Sequence, residues 1–254
     1  LADHHRRYFE LDPEEDVAFN KDQRIVIVGA ESTGTTTLTS DLCDHFQSRG
    51  GDFATTTWVP EYGRDYTIRK LRETQAQRPR ATMDDLVWSD DDFVAIAREQ
   101  NFLEDHAAAV SGRIVLCDTD AFATALWQER YMGRSTPDVW SYAFAEPRAL
   151  YILTTPDGVD FDADEIRDGE SWREWMTNRF REELDQRTTP WVELDGVSRL
   201  RRRELAIGSD RLAHGRRLQR RRVRHVRGLV DRGGRRVVVG CGVGRGTRAV
   251  RRGH

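Results

Sequence analysis

The stretch RIVIVGAESTGTTTL, residues 24–38, restricts the possible folds more than any other part of the chain. Residues 24–29 form a β-branched run ending in glycine, as expected of a strand buried on both faces. Leu38, Leu42 and Phe46 then recur every four residues, the spacing of an apolar helix face, and the Gly50–Gly51 pair stops that helix. Between the two elements, Gly29 and Gly34 are separated by four residues, as in a phosphate-binding loop. Glycines let the backbone wrap an anion, and the N–H groups at a helix N-terminus point at it. The loop departs from the usual pattern at one position. Thr35 stands where lysine is expected, whereas Thr36 fills the Ser/Thr position whose hydroxyl binds Mg²⁺. Backbone amides do not need the lysine side chain. Its loss therefore bears less on the fold than on rate, where a missing preorganised positive group costs about 10²–10³-fold.

Further strands are expected at 55–59, 113–118, 148–154 and 191–195. Helices are expected from Asp91 to Val110, over AFATALWQERYM and WSYAFAE (140–146), and where Trp172, Met176, Phe180 and Leu184 ladder every four residues. Strands alternating with helices predict an α/β fold, a P-loop three-layer sandwich around a mainly parallel five-stranded sheet, because parallel neighbours need crossover connections. Ligands in such sheets bind beyond the carboxyl ends of the strands. CDTD puts Asp118 and Asp120 at one such end. Asp118 occupies the position of the carboxylate that holds Mg²⁺ or its water, and Asp120 also suits the cap of the next helix. In PEYGRDY (60–66), Glu61 is placed to accept a proton from an attacking hydroxyl, with Tyr62 and Arg64 toward a substrate. A turn with a surface ion pair is the plainer reading of that stretch. Trp88 suits either stacking on an aromatic base or the core. The charged loop 157–175 reads as a lid, from which Arg167 and Arg173 are the candidates to reach a transferring phosphate.

Charge divides the chain. Residues 197–254 carry 19 arginines against three acidic residues, whereas residues 1–196 carry 21 basic and 40 acidic ones, although the whole nets only −3. Three segments follow: 1–23 as a linker or the end of an upstream segment, 24–196 as the P-loop domain, and 197–254 as a basic tail expected to be disordered or non-native. Half of the 20 glycines lie in that tail, with no apolar period, which is also how an out-of-frame reading of GC-rich DNA looks. Clustered arginine can neutralise nucleic-acid phosphates, but no aromatic residue interleaves these, so nucleic acid is not the expected partner. The start lacks the apolar core of a signal peptide, and no run approaches the ~20 apolar residues of a membrane helix. Cys43, Cys117 and Cys241 form no C-x-x-C pair. Reduced thiols and a cytoplasmic location are expected. No feature of the sequence fixes an oligomeric state.

Taken in order, G-x-E-S-T-G-x-T-T-L, P-E-Y-G-R-D-Y, W-S-x-x-D-F…I-A-x-x-Q, C-D-T-D and I-R-D-G-E…R-E-W-M…F resemble the ribosylnicotinamide kinase module of NadR-type NAD-biosynthesis proteins, within the AAA-like P-loop ATPase/kinase grouping. The resemblance covers residues 24–195. It implies ATP-dependent phosphorylation of the 5′-hydroxyl of nicotinamide riboside, a small-molecule substrate, to its mononucleotide. It further implies that Gly29, Glu31, Ser32, Thr33, Gly34, Thr35, Thr36 and Thr37, with Arg173, hold ATP, and that Thr36 and Asp118 serve Mg²⁺. Glu61, Asp118 and Arg167 would be catalytic, with Tyr62, Arg64, Trp88 and Asp120 around the riboside. Family members often carry an adenylyltransferase module ahead of the kinase, and residues 1–23 are too short to be one. A nucleotide-binding regulatory ATPase without efficient phosphoryl transfer is the rival expectation, and a nucleic-acid-associated P-loop protein the third.

Overall fold

A computed structural model describes residues 23–145, 147–167 and 169–194, together with 202, 206 and 207. Five strands form one sheet in the order β2-β3-β1-β4-β5: β1 Gln23–Gly29, β2 Thr57–Val59, β3 Ile114–Asp118, β4 Leu150–Thr154 and β5 Trp191–Leu194. Every pairing is parallel. The alternating side chains of the central strands fill two cores. Val26, Val28, Val115, Cys117, Tyr151 and Leu153 face one apolar layer, which includes Phe122 and Leu126 of α4 (Ala121–Met132) and Met176 and Phe180 of α6 (Arg173–Gln186). Ile25, Ile27, Leu116, Leu150 and Ile152 face the other, packed by Leu38, Leu42 and Phe46 of α1 (Thr35–Ser48). The neighbouring strands β1 and β3 thus send their following helices to opposite faces, which opens a crevice at their carboxyl ends.

Helix α3 spans Asp90–Val110 and begins with a capping box between Ser89 and Asp92; α5 spans Pro137–Ala143, starting on its proline. The sequence reading placed this last helix at 140–146, three residues late; Phe144 is already outside it and 68% exposed. Two residues assigned to apolar helix faces, Val110 and Trp172, are exposed instead. One helix was not read at all. α2, Tyr62–Gln77, follows β2 directly and buries only Leu71, so its sequence carries almost no apolar period. The expected boundary at 196 also falls short. Beyond it Arg202 is buried, and Ala206 and Ile207 pack on the α1 side of the sheet, so these three residues pack with the domain. The rest of the tail, the 1–22 segment, Glu146 and Asp195 lie outside the described residues. Among the described residues, no helix is long and apolar enough to cross a membrane.

Candidate active site

The phosphate loop leaves β1 at the centre of the sheet. Gly29 pairs with Thr154 of β4, and a Cβ at Gly29 would collide with the Thr154 and Thr33 hydroxyls. Those hydroxyls lie 2.7 Å apart, and that of Thr33 donates to the Ala30 carbonyl at 2.7 Å, closing the turn from inside. Gly34 caps α1 in the left-handed region (φ 84°), where glycine carries no steric cost. The Thr36 hydroxyl donates to Asp118 Oδ2 at 2.5 Å. Burial raises the Asp118 pKa above the ordinary carboxylate value, while hydrogen bonds from Thr36 and Thr35 oppose the rise. One hydroxyl and one carboxylate suit Mg²⁺, which usually takes few protein ligands and completes its shell with water and substrate phosphates. Among the described residues, no group of three or more His, Cys, Asp or Glu side chains is gathered for a metal.

The lid folds back on this loop. Ser32 Oγ donates to the Asp162 carbonyl at 3.1 Å, and Glu31 Oε2 accepts the Gly169 N–H at 2.7 Å. Arg130 of α4 reaches the other Glu31 oxygen at 3.3 Å. Arg173 donates to the carbonyls of Ser32 (3.0 Å) and Val159 (2.9 Å), so its guanidinium clasps loop backbone rather than lining the cavity. Arg64 and Arg167 do line it. Arg64 pairs with Asp164 at 2.5 Å, and Arg167 with Asp162 at 2.7 Å.

One cavity of about 410 Å³ joins the phosphate loop to an apolar recess. Glu61, at the N-cap of α2, lines the same cavity. Gln100 accepts the Tyr62 N–H at 3.0 Å and so fixes the backbone beside it. Desolvation, with the Asp118 and Glu31 carboxylates adding to it and Arg64 and Arg167 opposing, pushes the Glu61 pKa up to about 8. The recess walls are Trp88, Phe93, Ile96, Trp127 and Tyr131. Trp88 packs against Tyr131 with ring centroids 5.0 Å apart. Behind it, Lys70 pairs with Asp92 at 2.9 Å; burial raises the Asp92 carboxyl, but hydrogen bonds from Tyr66, Lys70 and Ser89 outweigh it and hold the pKa below its usual value.

Two expected site residues lie elsewhere. The Tyr62 ring turns outward, its hydroxyl accepting from Arg69 at 3.1 Å, and is not part of the cavity wall. Asp120 is fully buried: it caps α4 through the Ala123 N–H, accepts from Tyr151 at 2.8 Å and pairs with Arg148 at 3.2 Å. Thr119, at φ 75°, breaks the strand alternation and turns Asp120 into the core while Asp118 stays in the crevice. Asp120→Ala is therefore expected to act on stability. Urea unfolding should show a loss of about 3–5 kcal/mol, the cost of stranding one member of a buried ion pair.

A family model described as an AAA domain matches residues 24–202. The chain belongs to that family. This AAA-domain chain is 31% identical over 161 residues to the trifunctional NAD biosynthesis/regulator protein NadR of Salmonella typhimurium, a match covering 63% of the chain and 34% of the relative. It thus spans about a third of that relative's length. Among solved structures it is similar to the NadR protein in complex with NR, with a TM-score of 0.56 and 20% identity over 79% of this chain and 54% of that one. It also matches the thymidylate kinase from Ehrlichia chaffeensis, with a TM-score of 0.53 and 13% identity over 75% and 99% of the two chains. These structural matches speak for the fold, and the relatives agree with the NadR-type resemblance carried by the ordered motifs.

Sequence reasoning missed one wall of the AAA-domain cavity and one residue behind its loop. Thr124, Trp127 and Tyr131 occupy one face of α4 at spacings of three and four residues, and that face lines the recess. The spacing was legible, but an aromatic stripe on a helix reads equally as core. Arg202, set beneath the phosphate loop, offered no signal within an arginine-rich run.

Proposed function

We propose that this chain is an ATP-dependent kinase that phosphorylates the 5′-hydroxyl of nicotinamide riboside or a close nucleoside. The observation that carries the reading is one cavity lined together by the phosphate loop, Glu61 and an aromatic recess. The NadR relative, named for NAD biosynthesis, and the NR-bound NadR structure support the choice of acceptor.

In this reading the loop amides and the N-terminus of α1 hold the ATP phosphates, and the aromatic recess holds the nucleoside base. Thr36 and Asp118 would hold Mg²⁺, which supplies charge neutralisation at the β- and γ-phosphates when bound. Glu61, as carboxylate, takes the proton of the 5′-hydroxyl while that oxygen bonds to the γ-phosphorus. The bond from the γ-phosphorus to the bridging oxygen breaks, and ADP leaves with the electron pair. A base whose pKa lies near neutrality is suited to this transfer. Arg64 and Arg167 line the same cavity, and in this reading they would exchange their aspartate partners for phosphoryl oxygens and offset part of the charge missing at Thr35.

Thr35 also favours a second reading, a regulatory ATPase that binds nucleotide without efficient transfer. A riboside panel with the full chain separates the two. Under the kinase reading, ADP release appears only with nicotinamide riboside or a close analogue, with one mononucleotide formed per ADP. ATP binding with no riboside-dependent release would reject it in favour of the regulator.

A further inference from the structure

Arg202 comes from beyond β5, yet its guanidinium lies under the phosphate loop and is 5% exposed. Nη1 donates to the Thr33 carbonyl at 2.7 Å, and Nη2 to the carbonyls of Thr155 at 3.0 Å and Asp157 at 3.3 Å. One planar side chain thereby joins the loop after β1 to the segment after β4, from which the lid departs. The Thr155 N–H in turn donates to Leu194 of β5 at 3.2 Å.

The contact on Thr33 matters because of peptide geometry. The Thr33 carbonyl and the Gly34 N–H belong to one planar trans unit and point in opposite directions. With the carbonyl held from below, the Gly34 N–H faces the open side of the loop, where Gly34 is exposed. Ser32 and Gly34, on either side of Thr33, both have positive φ (55° and 84°), so this turn has unusual backbone geometry that must be kept in place. Rotation of the Thr33–Gly34 peptide would present a carbonyl oxygen to a phosphate in place of an amide. A hydrogen bond from a charged donor is stronger than a neutral one and opposes that rotation.

We propose that Arg202 is a positioning residue for the phosphates of a nucleoside di- or triphosphate: it fixes the Thr33–Gly34 peptide with its N–H toward them. The inference rests on the phosphate loop being a nucleotide site, and not on which nucleoside accepts the phosphoryl group. An arginine donated by the far end of the domain thus completes a loop that lacks its lysine.

Full-chain Arg202→Met and Arg202→Lys, compared with the wild type, test this by ADP and ATP titration calorimetry and by hydrogen exchange without nucleotide. Arg202→Met should weaken both nucleotides about tenfold or more, as expected from losing a hydrogen bond to a charged donor. Exchange should accelerate in the peptide spanning 29–37 while β1 and β3 amides keep their protection, and Arg202→Lys should recover part of both effects. Should Arg202→Met fail to fold, Arg202→Lys alone must still show weakened nucleotide binding with intact strands. Nucleotide affinities within about twofold of wild type, faster exchange spread evenly through the sheet, or a wild type that binds neither nucleotide would overturn the proposal. Failure of the kinase reading looks different: nucleotides bind, the Arg202 effects persist, and no riboside is phosphorylated.

Discussion

Glu61→Gln is expected to lower riboside-dependent turnover by about 10²–10⁴-fold, the usual contribution of a positioned general base. Glutamine keeps the shape of the side chain but cannot take the hydroxyl proton. Because the Glu61 pKa is pushed up to about 8, most of the protein holds this group protonated at neutral pH. Wild-type kcat/KM should therefore rise about tenfold per pH unit below that value and level off above it. The variant should lose that rise. Stability should move the other way. The folded chain keeps the Glu61 proton up to about pH 8, whereas an ordinary glutamate releases it near 4.5. Any stability due to the retained proton is complete below the lower value and is lost as pH climbs through the upper one. Glutamine has no proton to lose, so Glu61→Gln should gain Tm relative to wild type between pH 5 and 8, read by thermal melts across that range. A variant that lost activity and stability together at every pH would contradict the assignment.

Asp118→Asn is the second large effect. The carboxylate is 2% exposed and accepts the Thr36 hydroxyl, so its removal deletes the only acidic member of the proposed Mg²⁺ pair. Turnover should fall by about 10³-fold, the rate equivalent of several kcal/mol of lost charge stabilisation, and saturating Mg²⁺ should not restore it. A second consequence follows from the neighbouring base. The Asp118 charge helps hold the Glu61 pKa up, so its loss should shift the acidic limb of the residual activity to lower pH. The two readouts together distinguish a local electrostatic effect from misfolding, which has no reason to move a pH limb in one direction.

The sheet was legible because its strands are buried on both faces: RIVIVG, RIVLCD and RALYILT are dense in β-branched and aliphatic residues, and each became a strand within two residues of its expected start. Helix α2 was not, because a helix that buries one leucine leaves no period to find. For the site, spacing along the chain worked where the backbone stayed regular and failed where it did not. Asp118 follows strand geometry into the crevice, whereas the left-handed Thr119 sends Asp120 into a charged cluster with Arg148 and Tyr151. Composition was the poorest guide. An arginine-rich stretch gave no reason to single out Arg202, since only the folded chain sets one guanidinium against three carbonyls.

That brace also orders events in time. A ribosome releases the chain from its N-terminus, so the loop and the central strand that carries it emerge early. The Thr33–Arg202 contact must wait for 169 further residues. Contacts so distant in sequence form late, after the loop-closure entropy of the intervening chain has been met. A nascent chain stopped between Leu194 and Arg202 would hold all five strands with an unfastened loop, and nucleotide capture would follow the emergence of the last strand rather than the first.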